Sequence, residues 1–179
     1  MCTAATPCMA KYTTTTNALE LLHDQHEEVE NLIEEIEDSD DSSEKLMLFL
    51  QLADKFAAHA MIEEQLFYPS LLEQSSREDL VEATEEHLEC KRLLADMLEL
   101  DVADEHFDAK LAVLKENIRH HVHDEEEVNL FKLARRSMSQ DELIALGSEM
   151  LALYESLLEQ EPRNEVPAQI SEAAELPMM

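Results

Sequence analysis

Four histidines, His26, His59, His87 and His121, occupy slots where the surrounding apolar stripe asks for a leucine. Two of them are followed four residues later by a carboxylate, Glu63 after His59 and Glu125 after His121, and residues four apart on a helix project from one face. A single histidine on an apolar face is most simply a hydrogen-bonded core residue. Four at comparable depth, with two acids beside them, are harder to bury. An unpartnered polar group costs roughly 1–3 kcal/mol and an ionised carboxylate far more, against a total stability of about 5–15 kcal/mol. A shared metal removes that difficulty. Imidazole with carboxylate suits iron, and also manganese or zinc, whereas thiolate-seeking metals would draw on cysteine. The donor count favours a pair of ions, because each carboxylate can bridge, leaving two histidines per ion and room for hydroxide, water, oxygen or peroxide. The metal set read from the residues is therefore His26, His59, Glu63, His87, His121 and Glu125, with no catalytic group beyond it.

Other templates fit less well. HExxH is absent, and the ExxH of ferritin-like bundles occurs only as Glu20 with His23. No Ser-His-Asp set, glycine-rich phosphate loop or aromatic-basic patch is legible. His23, His120 and His123 fall off the stripe and read as surface or supporting residues, and His106 as a loop residue. Tyr68 could turn its hydroxyl to the cluster as a donor or radical relay; the plainer reading is an amphipathic ring at a helix end. The methionines at 47, 61, 97 and 150 read as core filler.

Helices must position these groups. With one Gly and five Pro the chain has few turn formers, and its residues favour helix, so the class is all-α. Apolar residues recur at three- and four-residue steps over 17–38 (Leu19, Leu22, Val29, Ile33, Ile36). An acidic and serine break follows, in which Asp41 and Glu44 have the spacing of a capping box. A second stripe runs through Phe49, Leu52, Phe56, His59, Glu63 and Leu66 until Pro69 kinks or closes it. A third helix is predicted over 79–100 and a fourth over 107–136. Short connections make neighbours antiparallel, an up-down-up-down four-helix bundle. A fifth, C-terminal helix over 141–159 is expected outside the bundle or against another chain. Residues 1–16 read as a flexible leader and 161–179 as a mobile, disordered tail, leaving one domain over 17–160.

The order of His26, His59xxxGlu63, His87 and His121xxxGlu125, with the phrases HAMIEEQLFYP and IRHHVHDEEEVNLF, resembles the hemerythrin-like, or HHE, cation-binding family over roughly 17–160. The resemblance implies a di-iron helical bundle, its two non-haem ions bridged by carboxylates and an oxo or hydroxo group. It also implies chemistry with dioxygen, hydrogen peroxide or nitric oxide. The chain departs from the oxygen carriers at Lys91, where their third helix supplies a second histidine, with Cys90 beside it. The six-ligand pattern is instead similar to bacterial members linked to oxidative or nitrosative stress, including the iron-centre repair type, whose paired N-terminal cysteines Cys2 and Cys8 do not match. Phe131 comes one residue later after His121 than the family spacing suggests. Glu126 is thus an alternative bridge through a π-bulge, while Glu125 needs no distortion.

Charge and cysteines bound the partners. Forty-two Asp and Glu against 13 Lys and Arg give a formal net charge of -29, a field that repels nucleic acid and anionic lipid. No stretch approaches the roughly 20 apolar residues that span a bilayer. Three cysteines without CxxC spacing, and no export signal, point to the cytoplasm. The functional expectation is a di-iron protein reacting with dioxygen, peroxide or nitric oxide in stress response or iron homeostasis. Whether it is an enzyme stays open, and the alternative is an iron- or oxygen-sensing interaction module without turnover.

Overall fold

The computed structural model describes residues 16–75 and 77–177. The leader with Cys2 and Cys8 lies outside the described residues, apart from Thr16.

Each rod starts where its sequence signals a start. Helix α1, Ala18–Asp38, is capped by Asn17, whose Oδ1 accepts from Leu19 N–H and Glu20 N–H, while the Glu20 carboxylate reaches back to Asn17 N–H. Helix α2, Ser42–Ile62, is capped by Asp41, which accepts from Ser43 and Glu44 N–H. Only half of that predicted box forms, because the Glu44 carboxylate takes a bond from the Ser39 hydroxyl instead. α2 runs on as a π-helical stretch π1, Glu63–Phe67, and a short α3, Tyr68–Leu71. α4 spans Arg77–Leu98. α5, Glu105–Arg119, passes into a second π-helical stretch π2, His120–Leu130, and then α6, Phe131–Ser137. α7, Gln140–Leu158, opens on a complete Ser139–Glu142 capping box. No strand occurs among the described residues.

The apolar residues fall into two clusters with a polar layer between them. On α1, Leu21 and Leu22 belong to one cluster and Val29, Ile33 and Ile36 to the other, and His26 stands at the junction. The second rod crosses in the opposite order, from Phe49 and Leu52 to Ile62, Phe67 and Leu71, with His59 at the junction. The third returns from Leu80 to Leu94 past His87. The fourth goes from Leu111 and Leu114 to Leu130 and Phe131 past His121. This alternation is the antiparallel four-helix bundle that the spacing predicts.

The fifth helix lies against the bundle: Met150 and Tyr154 of α7 share the second cluster with Phe67, Tyr68 and Leu71. The chain's one glycine makes the approach possible. A Cβ on Gly147 would stand 2.6 Å from Ala18 N and from Thr16 O, so α7 crosses the start of α1 backbone to backbone.

The segment from Glu161, expected to be mobile, runs back along the rods. Two 3₁₀ turns, Pro162–Asn164 and Val166–Ala168, bury Val166 in the first cluster, and Arg163 pairs with Asp54. Arg92 donates to Ile170 O, and Arg77 to Leu176 O and Pro177 O. Its prolines suit these turns as well as they suit disorder, and composition alone does not separate the two.

Candidate metal centre

Two groups of donors meet in the polar layer: His26, His59, Glu63 and Glu126, and Glu63, His87 and His121, with Glu63 common to both. All six are buried. His59 Nε2 and His87 Nε2 each lie 3.2 Å from Glu63 Oε2. His26 Nε2 is 3.2 Å and His121 Nε2 3.6 Å from Glu126 Oε2. With metal–ligand bonds of about 2.1 Å, neighbouring donors on an octahedral ion stand about 3.0 Å apart, so these spacings fit ions between them.

The tautomers are fixed from outside. His26 Nδ1 faces Glu127 at 2.9 Å, His59 Nδ1 faces Gln25 Oε1 at 2.9 Å, His87 Nδ1 faces Glu64 at 3.0 Å and His121 Nδ1 faces Glu86 at 2.7 Å. These oxygens only accept, so each imidazole donates through Nδ1 and turns its Nε2 lone pair inward. The four bonds close a circuit. Each acceptor is the chain neighbour of a donor in the centre, yet it serves the histidine of the next rod: α1 holds the second rod, the second holds the third, the third the fourth, and the fourth holds α1.

Bare lone pairs converging in a dry core repel unless a cation or a proton lies between them. His87 Nε2 and His121 Nε2 are only 3.1 Å apart. His26 Nε2, His59 Nε2, Glu63 Oε1 and both Glu126 oxygens are buried with no hydrogen-bond partner. Protons take up part of this strain in the metal-free centre. Burial pulls His26 down, but the carboxylates of Glu126 and Glu127 outweigh it and push it up to about 10; His87, between Glu63 and Glu64, rises to about 9 by the same balance. Burial wins at His59, which falls to about 4, and at His121, also lowered. Burial and the nearby Glu63 charge raise Glu126.

The sequence reading placed Glu125 in the centre, and here it is corrected. In a π-helix the repeat lengthens to i→i+5, so π2 brings Glu126, five residues after His121, onto the histidine's face. Glu125 turns to the side, half-buried, 3.4 Å from Asn129 Nδ2. The π1 stretch does the same for another pair. Tyr68, five residues after Glu63, is fully buried, and its hydroxyl stands 3.3 Å from Glu63 Oε2, 3.4 Å from His87 Nε2 and 3.5 Å from His121 Nε2. Of the two options the sequence left for Tyr68, a ring at a helix end or a hydroxyl turned to the cluster, the structure has the hydroxyl beside the second donor group.

Lys91 is buried and bonds both Glu64 oxygens at 2.7 and 2.9 Å, so its charge supports the acceptor of His87 rather than facing the centre. Cys90 is buried, and its thiol is pushed up by burial; it borders a small apolar space over the four rings, with Val29, Phe56, Ile118 and Val122. His23 and His120 back up the circuit from the surface, the first 2.9 Å from Glu127 and the second 3.5 Å from Glu86. Gln25, Glu64, Glu86 and Glu127 were missed in the sequence, although each stands one residue from a donor.

The family model for the hemerythrin HHE cation-binding domain matches residues 17–133. A solved structure of a hemerythrin HHE cation-binding domain-containing protein from Mycobacterium kansasii superposes with a TM-score of 0.72 at 25% identity, covering 81% of this chain and 89% of that one. A protein described as a DNA nickase from Nostoc sp. is 26% identical over 136 residues, 76% of this chain. The match spans 38% of that relative's length.

Proposed function

Because the chain belongs to the hemerythrin HHE cation-binding family, we propose that its centre holds two non-haem iron ions, one with His26, His59 and Glu126 and one with His87, His121 and Tyr68, with Glu63 between them. The observation that carries this reading is the convergence of four inward Nε2 lone pairs and two buried carboxylates with unsatisfied oxygens. Nitrogen and oxygen donors without thiolate suit iron. Such a pair would supply a redox-active site for dioxygen, hydrogen peroxide or nitric oxide.

The protein's own groups prepare for that chemistry. The outward acceptors hold the rings and keep Nε2 free. The apolar walls of Val29, Phe56, Ile118 and Val122 exclude water over the rings and suit a small neutral ligand. The Tyr68 hydroxyl can donate a proton to Glu63 or, ionised, ligate. Purified protein should carry about two irons per chain, with an oxo-bridge charge-transfer band in the near ultraviolet. Iron-free protein from iron-replete cells that gains no band on reconstitution overturns the reading.

One observation favours sensing without turnover as a second reading. Met150 and Tyr154 of α7 share the second cluster with Phe67, Tyr68 and Leu71, and α7 contacts the Glu63–Phe67 stretch, so the fifth helix adjoins the segment that bears the shared carboxylate. Limited proteolysis of metal-free and loaded protein separates the readings: a change in cleavage at α7 or the tail favours sensing, and an unchanged pattern with peroxide turnover lost in His59→Ala favours an enzyme.

A further inference from the structure

A polar cleft borders the centre. This cleft, of about 500 Å³, lies between the start of α4 and π2, and His121 and Glu126 form part of its wall. Asp79, Glu82, Glu86 and Glu125 also line it. Lys132 and Arg136 are the two basic residues in the lining, so five acids, Glu126 among them, face two bases. The Glu126 carboxylate is fully buried, and neither of its oxygens has a hydrogen-bond partner. Acids at the mouth of the cleft draw a cation towards Glu126, a donor of the centre whose oxygens accept no hydrogen bond and whose Oε2 stands 3.2 Å from His26 Nε2.

The geometry points to this cleft as the route by which a divalent cation enters the centre, with Glu82 and Glu125 as steering residues that bind nothing in the loaded state. The inference rests on the metal-centre reading and deepens it. It also gives Glu125, turned away from the centre by π2, a place on the approach. The small space over the rings cannot serve the same purpose. It is lined by Val29, Phe56, Cys90, Ile118 and Val122 besides the four histidines, and it offers a hydrated ion no carboxylate.

The test is the rate of cobalt(II) uptake by the metal-free full chain, followed anaerobically by its visible absorption in a stopped-flow instrument. Glu82→Gln/Glu125→Gln should slow uptake about three- to tenfold at low ionic strength and leave the final amount bound unchanged. The deficit should shrink in 0.5 M salt, where the screening length falls to a few ångströms. Glu82→Lys/Glu125→Lys should slow uptake further. Glu35→Gln/Asp38→Asn is the control: it changes net charge equally on exposed positions nine and twelve residues from His26, roughly 13–18 Å along α1. Equal rates in the cleft and control variants, with full uptake by both, overturn the route and leave the metal centre standing. No uptake by the parent chain overturns both.

Discussion

At the scale of single residues, protonation and metal binding compete for the same atoms. His26 and His87 are raised to about 10 and 9 in the metal-free fold, above the usual 6.5. Their stabilisation of that fold is fully present below 6.5 and is lost as pH rises through those values. His59, lowered to about 4, contributes above 6.5 and loses its share as pH falls through 4, outside that window. Ions need bare Nε2 atoms, so loading must expel the His26 and His87 protons and becomes easier as pH rises. The difference in Tm between loaded and metal-free protein should therefore widen from pH 6.5 to 9. Glu125→Gln should keep this widening, and Glu126→Gln should remove about the half that His26 carries, since Glu63 and Glu64 still hold His87 up; a difference that stays flat in the parent protein contradicts the linkage. The histidines and Glu63 were legible because four of them interrupt apolar stripes. Tyr68 was legible only as one of two options, because its five-residue step from Glu63 needs a π-helical turn; the four outward acceptors were not legible, since their partners lie on other rods and no spacing along one helix reveals them.

Elements repeat the lesson. The four long helices, and the fifth, stood in the sequence because their apolar stripes keep a helical period, and at Asp41 the cap read from the sequence agrees with the stripe; the boxes at Asn17 and Ser139 appear in the structure. The π stretches did not, because a stripe read at 3.6 residues per turn has no place for a turn that takes one residue more. Phe131 was the clue, arriving a residue late, and the structure resolves it by widening π2 rather than by using Glu125. Gly147 belongs to this scale too. Its missing side chain lets α7 lie on the backbone of residues 16–18, where backbone atoms at 2.6–2.7 Å cannot move aside as a flexible side chain would. Gly147→Ala should destabilise the protein by about 1–3 kcal/mol, as overpacking does, measured by urea unfolding. A midpoint unchanged from the parent would mean that α7 does not sit so close.

For the whole molecule, the excess of acid sets what the fold can use. Of the 13 Lys and Arg in the chain, Arg77, Arg92 and Arg163 tie down the segment after Glu161, and Val166 anchors it in the first cluster. Removing residues 161–179 exposes the surface that Val166 covers and leaves Asp54 without its arginine. The truncated chain should lose about 2 kcal/mol, on the order of one buried valine, seen as a lower unfolding midpoint. An identical midpoint would show that the segment contributes nothing and that the mobile tail read from its composition was sound.

The circuit of imidazoles and acceptors has a consequence for how the rods find their places. Apolar faces tolerate sliding, since one leucine replaces another at little cost. A rod displaced by a single turn would break two links at once, the one it gives and the one it receives, and would strand four polar groups in a dry interior. The polar layer therefore sets the vertical alignment of all four rods even before any ion arrives, in the way a lone buried asparagine fixes the pairing of a coiled coil.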